Sequence, residues 1–141
     1  MDNLTVNTEI KFNAPAAKVW QGITDPDIVK QYFFGTIIAS SFRVGEPITF
    51  SGEWDGKKYQ DKGIILEIEP GRYLKYSYWS SVGTTEDKPE NYVNVAYSLI
   101  ENNDETTLTI TQDHCKDQEA KEHSEQNWRF IFNGLKNILE R

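Results

Sequence analysis

Between residues 36 and 114 the chain runs through short segments that alternate apolar and polar side chains, each closed by turn-forming residues. That pattern calls for an antiparallel meander. The punctuation is explicit. Gly45-Glu46-Pro47 separates two runs, Asp55-Gly56 between Trp54 and Lys57 is a type I′ hairpin signal, Pro70-Gly71 makes the next turn, and Asn102-Asn103-Asp104 makes the last. The clearest strand ends at Gln112, with Leu108 and Ile110 facing one way and Thr107, Thr109 and Thr111 the other. A sheet with one apolar face needs a cover, and the chain supplies it. Behind Asp117, which can cap a helix, a polar run to Asn127 leads into Trp128, Ile131, Phe132, Leu135, Ile138 and Leu139. Their spacing of three and four is the stripe of an amphipathic helix.

Ahead of the meander, Leu4, Val6, Ile10 and Phe12 share one face of a further strand, with Thr8 between them. Asn13 or Ala14 can cap a short helix with Pro15 in its first turn and Val19, Trp20 and Ile23 at helical spacing. Asp25 can cap a second, with Pro26 at its first position and Ile28, Val29 and Tyr32 on one face. The expected order is one strand, two short helices, about six strands and a long helix, with no repeat or linker, so residues 1–141 are read as a single domain. The polar stretch from Ser80 to Glu90 is too long for a tight hairpin and reads as a mobile rim or lid.

Charge and motifs narrow the function. Fifteen Lys and Arg against 22 Asp and Glu give a net charge of -7, which repels phosphate backbones and anionic lipid surfaces and disfavours nucleic-acid binding. Met1 to Phe12 has no continuous apolar core of a secretory signal, and no later run approaches the ~20 apolar residues of a membrane helix, so no membrane insertion is expected. A single cysteine, Cys115, fits a reducing interior, and a cytoplasmic location is expected. His114, Cys115 and His123 match no zinc spacing, so no metal is expected. Adjacent His114 and Cys115 in a strand point to opposite faces and make no thiolate pair. No Gly-x-Ser-x-Gly elbow, phosphate loop or dinucleotide fingerprint occurs, so no catalytic residue and no cofactor is assigned.

Several segments, taken in order, resemble the activator of heat-shock-protein-90 ATPase homologue family (the AHSA-like group) of the START-like, or SRPBCC, superfamily. They are Ala14-Pro15 through Trp20, Ile23-Thr-Asp-Pro26 on to Tyr32-Phe33, Gly63-Ile-Ile-Leu-Glu-Ile68 followed by Leu74-Lys-Tyr-Ser-Tyr-Trp79, and Asn127-Trp128 leading to Gly134-Leu-Lys-Asn-Ile-Leu-Glu140. The resemblance implies an α+β helix-grip fold, a curved antiparallel β-sheet with two short helices wrapped around a long C-terminal helix, and a cavity between sheet and helix. Superfamily members include lipid and hormone carriers, polyketide aromatases and cyclases, and co-chaperone domains, so function follows from the site rather than the fold. The family's eukaryotic co-chaperones add a separate N-terminal domain, whereas here one domain spans the chain.

Seven Phe, seven Tyr and four Trp suit a wall that is apolar yet able to hydrogen-bond. The inward parity of the strands selects Tyr76 and Tyr78 beside Leu74; then Val93, Val95 and Tyr97; then Leu108, Ile110, Gln112 and His114. Trp20, Tyr32, Phe34, Trp54, Trp128 and Phe132 can close the space from the helices and neighbouring strands. Taken singly each ring reads first as core packing, and Gln112 and His114 read first as a wet strand end, so only the set carries the site. The leading reading is a module that binds a small apolar or aromatic molecule, with a cavity of a few hundred cubic ångströms. A chaperone-linked interaction domain in the stress response and a cyclase-type enzyme that uses Tyr and His stay open. Either a monomer or a weak homodimer is compatible with the chain.

Overall fold

Among the described residues the alternating runs become seven strands: β1 (Val6–Phe12), β2 (Ile37–Ser40), β3 (Pro47–Trp54), β4 (Lys57–Glu69), β5 (Tyr73–Tyr78), β6 (Val93–Asn102) and β7 (Glu105–Gln112). The computed structural model describes residues 5–140 apart from 34, 55, 81–85 and 116, with Trp54 by its backbone alone. The strands form one sheet in the order β1-β7-β6-β5-β4-β3-β2, and every neighbouring pair is antiparallel. From β2 onward each strand therefore pairs with the next in sequence, and β1 docks on β7 with Val6 opposite Gln112 and Phe12 opposite Thr106. The last hairpin takes the tightest form. Asn102 pairs with Glu105 across Asn103 and Asp104, whose φ values of 55° and 67° are the two positive angles of a type I′ turn. The Asp55-Gly56 reading and the 80–90 rim each fall partly outside the described residues.

Among the described residues three α-helices cover one face: α1 (Ala16–Thr24), α2 (Pro26–Tyr32) and the 22-residue α3 (Gln118–Leu139). Asp25 caps α2 by accepting from Asp27 N at 2.9 Å, and Asp117 caps α3 by accepting from Ala120 N at 2.8 Å. The start of α1 departs from expectation. Its N-cap is Pro15, which has no side-chain oxygen to offer, and neither Asn13 nor Ala14 stands at the helix boundary. The orphan N–H of Ala16 is instead taken by Glu101 Oε1, reaching across from β6 at 2.6 Å, and its charge also suits the positive end of the helix dipole. Replacing Glu101 with alanine is expected to cost about 1 kcal/mol, with glutamine recovering part of it, as read from urea denaturation.

The buried face joins Phe12, Ile48, Phe50, Ile65, Leu74 and Tyr76 to Val95, Tyr97, Leu99, Leu108 and Ile110 from the strands. Val19, Ile23, Val29 and Tyr32 reach it from the short helices, and Ile131, Phe132 and Leu135 from α3. Thr106 is fully buried and donates its hydroxyl to Ala14 O at 2.8 Å, so the chain leaving β1 is tied to the hairpin of β6 and β7. A register shift between Ile65 and Glu67 bends β4, and a bulge of this kind increases local twist and curves the sheet toward the helices. Among the described residues no helix is long and apolar enough to cross a membrane.

Candidate functional site

The space between the concave sheet and the helices divides in two. Beneath α2 the side chains nearly meet, leaving a void of about 10 Å³ among Ile23, Tyr32, Leu74, Tyr76, Tyr97 and Phe132, room for no more than one water. Toward the N-terminal half of α3 the layers part into a cavity of about 240 Å³. Phe33, Phe50, Tyr76, Tyr78 and Gln112 line one side, and Ser124, Asn127, Trp128 and Ile131 the other. Its walls are rings in mutual contact. Phe50 lies 5.6 Å from Tyr76 and 5.7 Å from Tyr78, while Trp128 stacks on Phe132 at 5.9 Å with an 11° interplanar angle.

Each hydroxyl in this aromatic region has a partner. Tyr32 donates to Gly22 O at 2.8 Å, Tyr78 donates to Asp61 Oδ2 at 2.6 Å, and the Tyr76 and Tyr97 oxygens share one hydrogen bond of 2.7 Å. Burial away from water pushes the pKa of all four tyrosines well above the ordinary range, because the phenolate would be left unsolvated. Asp61 itself is buried on the inward face of β4, where it accepts from the Tyr78 hydroxyl. Gln112, at the end of β7, accepts from the indole Nε1 of Trp128 at 2.9 Å, bridging sheet and helix across the cavity. Among the described residues no group of His, Cys, Asp and Glu is placed to hold a metal ion.

A family model, activator of Hsp90 ATPase homolog 1-like protein, matches residues 13–140. The chain belongs to that family. Among solved structures, it is 38% identical to ChR145 from Cytophaga hutchinsonii, with 99% of this chain and 97% of that one covered and a TM-score of 0.86. It is 20% identical to DynU16, from the dynemicin biosynthetic locus, over 99% of this chain and 48% of that one at a TM-score of 0.81. It is 18% identical to the Aha1 dimer from Colwellia psychrerythraea over 96% of each chain, at a TM-score of 0.72. The last two likenesses show the shared fold alone. No curated protein gives a significant match.

Within this family member, the residues selected from the sequence sort by place. Tyr76, Tyr78, Gln112 and Trp128 line the cavity, and Tyr32, Tyr97 and Phe132 join Tyr76 around the small void. Val95, Leu108 and Ile110 are buried in the core, and Trp20 and Val93 pack half-buried against it. Phe34 and the Trp54 side chain lie outside the described residues. His114 is not part of the cavity. The strand ends at Gln112, the backbone turns to φ 55° at His114, and the imidazole sits exposed beside Asp113, with Nδ1 2.7 Å from its carboxylate. It lines a separate groove on the opposite face of the sheet, with Lys62, Ile64, Ser77, Tyr92 and Asn94. The same turn removes the strand geometry that set His114 and Cys115 on opposite faces.

Sequence reasoning missed Phe33, Phe50, Ser124, Asn127, Ile131 and the buried Asp61. Phe50 and Ile48 alternate with Thr49 and Ser51, so the parity applied to the later strands, extended to β3, would have found Phe50. Ile131 enters the sequence reading as part of the helix stripe and not of the wall, and Phe33, which ends α2, enters it only within the segments that carry the resemblance. Asp61 carried no signal, since a carboxylate between Gln60 and Lys62 reads as solvated.

Proposed function

We propose that this protein is a binding module for a small, mainly apolar ring compound, held between β5, β7 and the first half of α3 in one domain spanning residues 1–141. The observation that carries the reading is the 240 Å³ cavity walled by Phe33, Phe50, Tyr76, Tyr78 and Trp128. Its size bounds the ligand. An apolar cavity of about 150 Å³ holds benzene, and drug-sized sites span roughly 300–1,000 Å³, so a molecule of one or two rings fits better than a lipid chain. No Lys, Arg, His or Cys lines the cavity among the described residues, which favours binding over turnover. The single cysteine suits a reducing cytoplasm.

Mass spectrometry of protein freshly purified from its host tests the reading. A tightly held ligand gives a mass excess under gentle ionisation that disappears on denaturation. Half-buried Ser124 faces the cavity, so Ser124→Phe places a ring where the ligand sits. The variant is expected to fold with a stability within about 1 kcal/mol of the parent and to lose the excess. An excess that persists in Ser124→Phe overturns the assignment of this cavity as the site.

A further inference from the structure

The hydrogen-bonding groups of the cavity are not an even mixture of donors and acceptors. An indole N–H can only donate, so the contact of Trp128 Nε1 with Gln112 Oε1 leaves the Gln112 amide a single orientation, oxygen toward Trp128 and NH₂ away from it. No protein acceptor takes that NH₂ among the described residues, and Gln112 lines the cavity. Across the sheet, Tyr76 stands opposite Val95 and Val95 opposite Gln112, so Tyr76 and Gln112 lie in one inward row two strands apart. The Tyr76 and Tyr97 hydroxyls hold two protons and share one hydrogen bond. One proton of the pair is therefore left to give, and when Tyr97 is the donor within the pair that proton belongs to Tyr76, which borders the cavity while Tyr97 borders the water-sized void.

Acceptors are not fixed in the same way. Tyr78 spends its proton on Asp61, and its oxygen also interacts with the Ser80 side chain. Ser124 and Asn127 each carry donors and acceptors and impose no polarity. The cavity thus offers oriented donors and no oriented acceptor. It also offers an anion nothing, because among the described residues no basic side chain lines it and the chain carries a net charge of -7.

We propose that the cavity takes a neutral compound of one or two rings bearing a carbonyl oxygen, that this oxygen accepts from Gln112 Nε2, and that Trp128 sets the polarity by holding the amide in place. Gln112 is the specificity-determining residue and Trp128 the positioning residue, with the Tyr76 hydroxyl as a second donor on the same row. The inference rests on the cavity reading above and adds the chemical class of the ligand.

The test uses 1-tetralone and tetralin, which share a two-ring frame and differ by one carbonyl group, with dissociation constants from tryptophan fluorescence quenching or ligand-observed NMR on the full chain. The wild type is expected to bind the ketone about five- to tenfold more tightly, the worth of one partly buried hydrogen bond. In Gln112→Met, of similar length and without donors, that ratio is expected to fall to about one with tetralin affinity retained. Trp128→Phe keeps a ring in the wall but frees the amide to present either end. Its ketone preference is expected to shrink, and 1-naphthol, a donor, is expected to gain on tetralone relative to the wild type. Circular dichroism establishes that each variant is folded, and Trp128→Phe carries the test if Gln112→Met does not fold. Equal affinity of the wild type for the two compounds, or a preference that survives in both variants, overturns the carbonyl assignment and leaves the cavity reading standing. Failure of the wild type to bind either compound overturns both.

Discussion

Replacing Gly63 with alanine is expected to leave the protein unable to keep its native sheet, with a loss of more than about 4 kcal/mol and a fall in melting temperature beyond ~10 °C. The cause is a close approach of two backbones. Lys62 and Trp79 exchange both backbone hydrogen bonds, and Ile65 pairs with Tyr76, but between them the ladder is interrupted, with Ile64 N bonding the Ser77 side-chain oxygen instead of a backbone carbonyl. The Ser77 carbonyl comes to rest over Gly63, and a Cβ built there would lie 1.6 Å from its oxygen. No rotamer change relieves a clash between two main chains, so β4 and β5 have to separate at the centre of the sheet. Native domains have only ~5–15 kcal/mol to lose. The control is Gly45→Ala, where nothing lies within 4 Å and only a φ of 88° resists, for an expected cost of about 1–2 kcal/mol. Denaturant melts of both variants check the contrast, and equal effects would show that the approach at Gly63 does not constrain the sheet.

The same segment shows what is legible in a sequence of this kind and what is not. A glycine inside Gly63-Ile-Ile-Leu-Glu-Ile68 announces a bulge or a close backbone approach, but which neighbour comes close depends on the register with β5, and no local pattern encodes that. Strand parity served well where alternation was regular. It placed Tyr76, Tyr97, Leu108 and Ile110 on the buried face, because a period of two leaves a strand only two ways to lie. It failed one residue pair too far. Gln112 still belongs to β7, whereas His114 lies past the strand end in a left-handed conformation, and parity has no meaning there. The helix stripe was read residue for residue, yet only its first turns, at Trp128 and Ile131, face the open cavity. Phe132 and Leu135 are packed shut. How far a stripe stands off its sheet is decided by side chains from several elements at once. The division into a packed half and an open half is therefore a tertiary property. The same holds for Asp61, whose burial follows from the Tyr78 hydroxyl that satisfies it.

Raising the pH is expected to unfold the protein abruptly within roughly one to two units above pH 10, with tyrosine ionisation and loss of secondary structure occurring together. An unfolded tyrosine releases its proton near pH 10. In the folded chain burial raises the pKa of Tyr32, Tyr76 and Tyr97 well above that value, with Tyr97 adding to the effect on Tyr32 and Tyr76 to that on Tyr97. A group whose folded pKa is raised contributes its full stability below the unfolded pKa and loses it as the pH climbs toward the folded one, since above pH ~10 the native state binds more protons than the unfolded chain. Each such tyrosine removes about 1.4 kcal/mol per pH unit over that window, so three acting together remove about 4, and Tyr78, raised chiefly by burial and then by its bond to Asp61, steepens the fall. Tyrosinate absorbance recorded alongside circular dichroism checks the outcome. Tyrosines that titrate one by one around pH 10 with the fold intact would mean that the aromatic interior is open to water. The experiment also reports on the cavity. A carbonyl compound that accepts the Tyr76 proton stabilises the protonated, folded form, so 1-tetralone is expected to move the alkaline midpoint upward by more than tetralin does at equal occupancy.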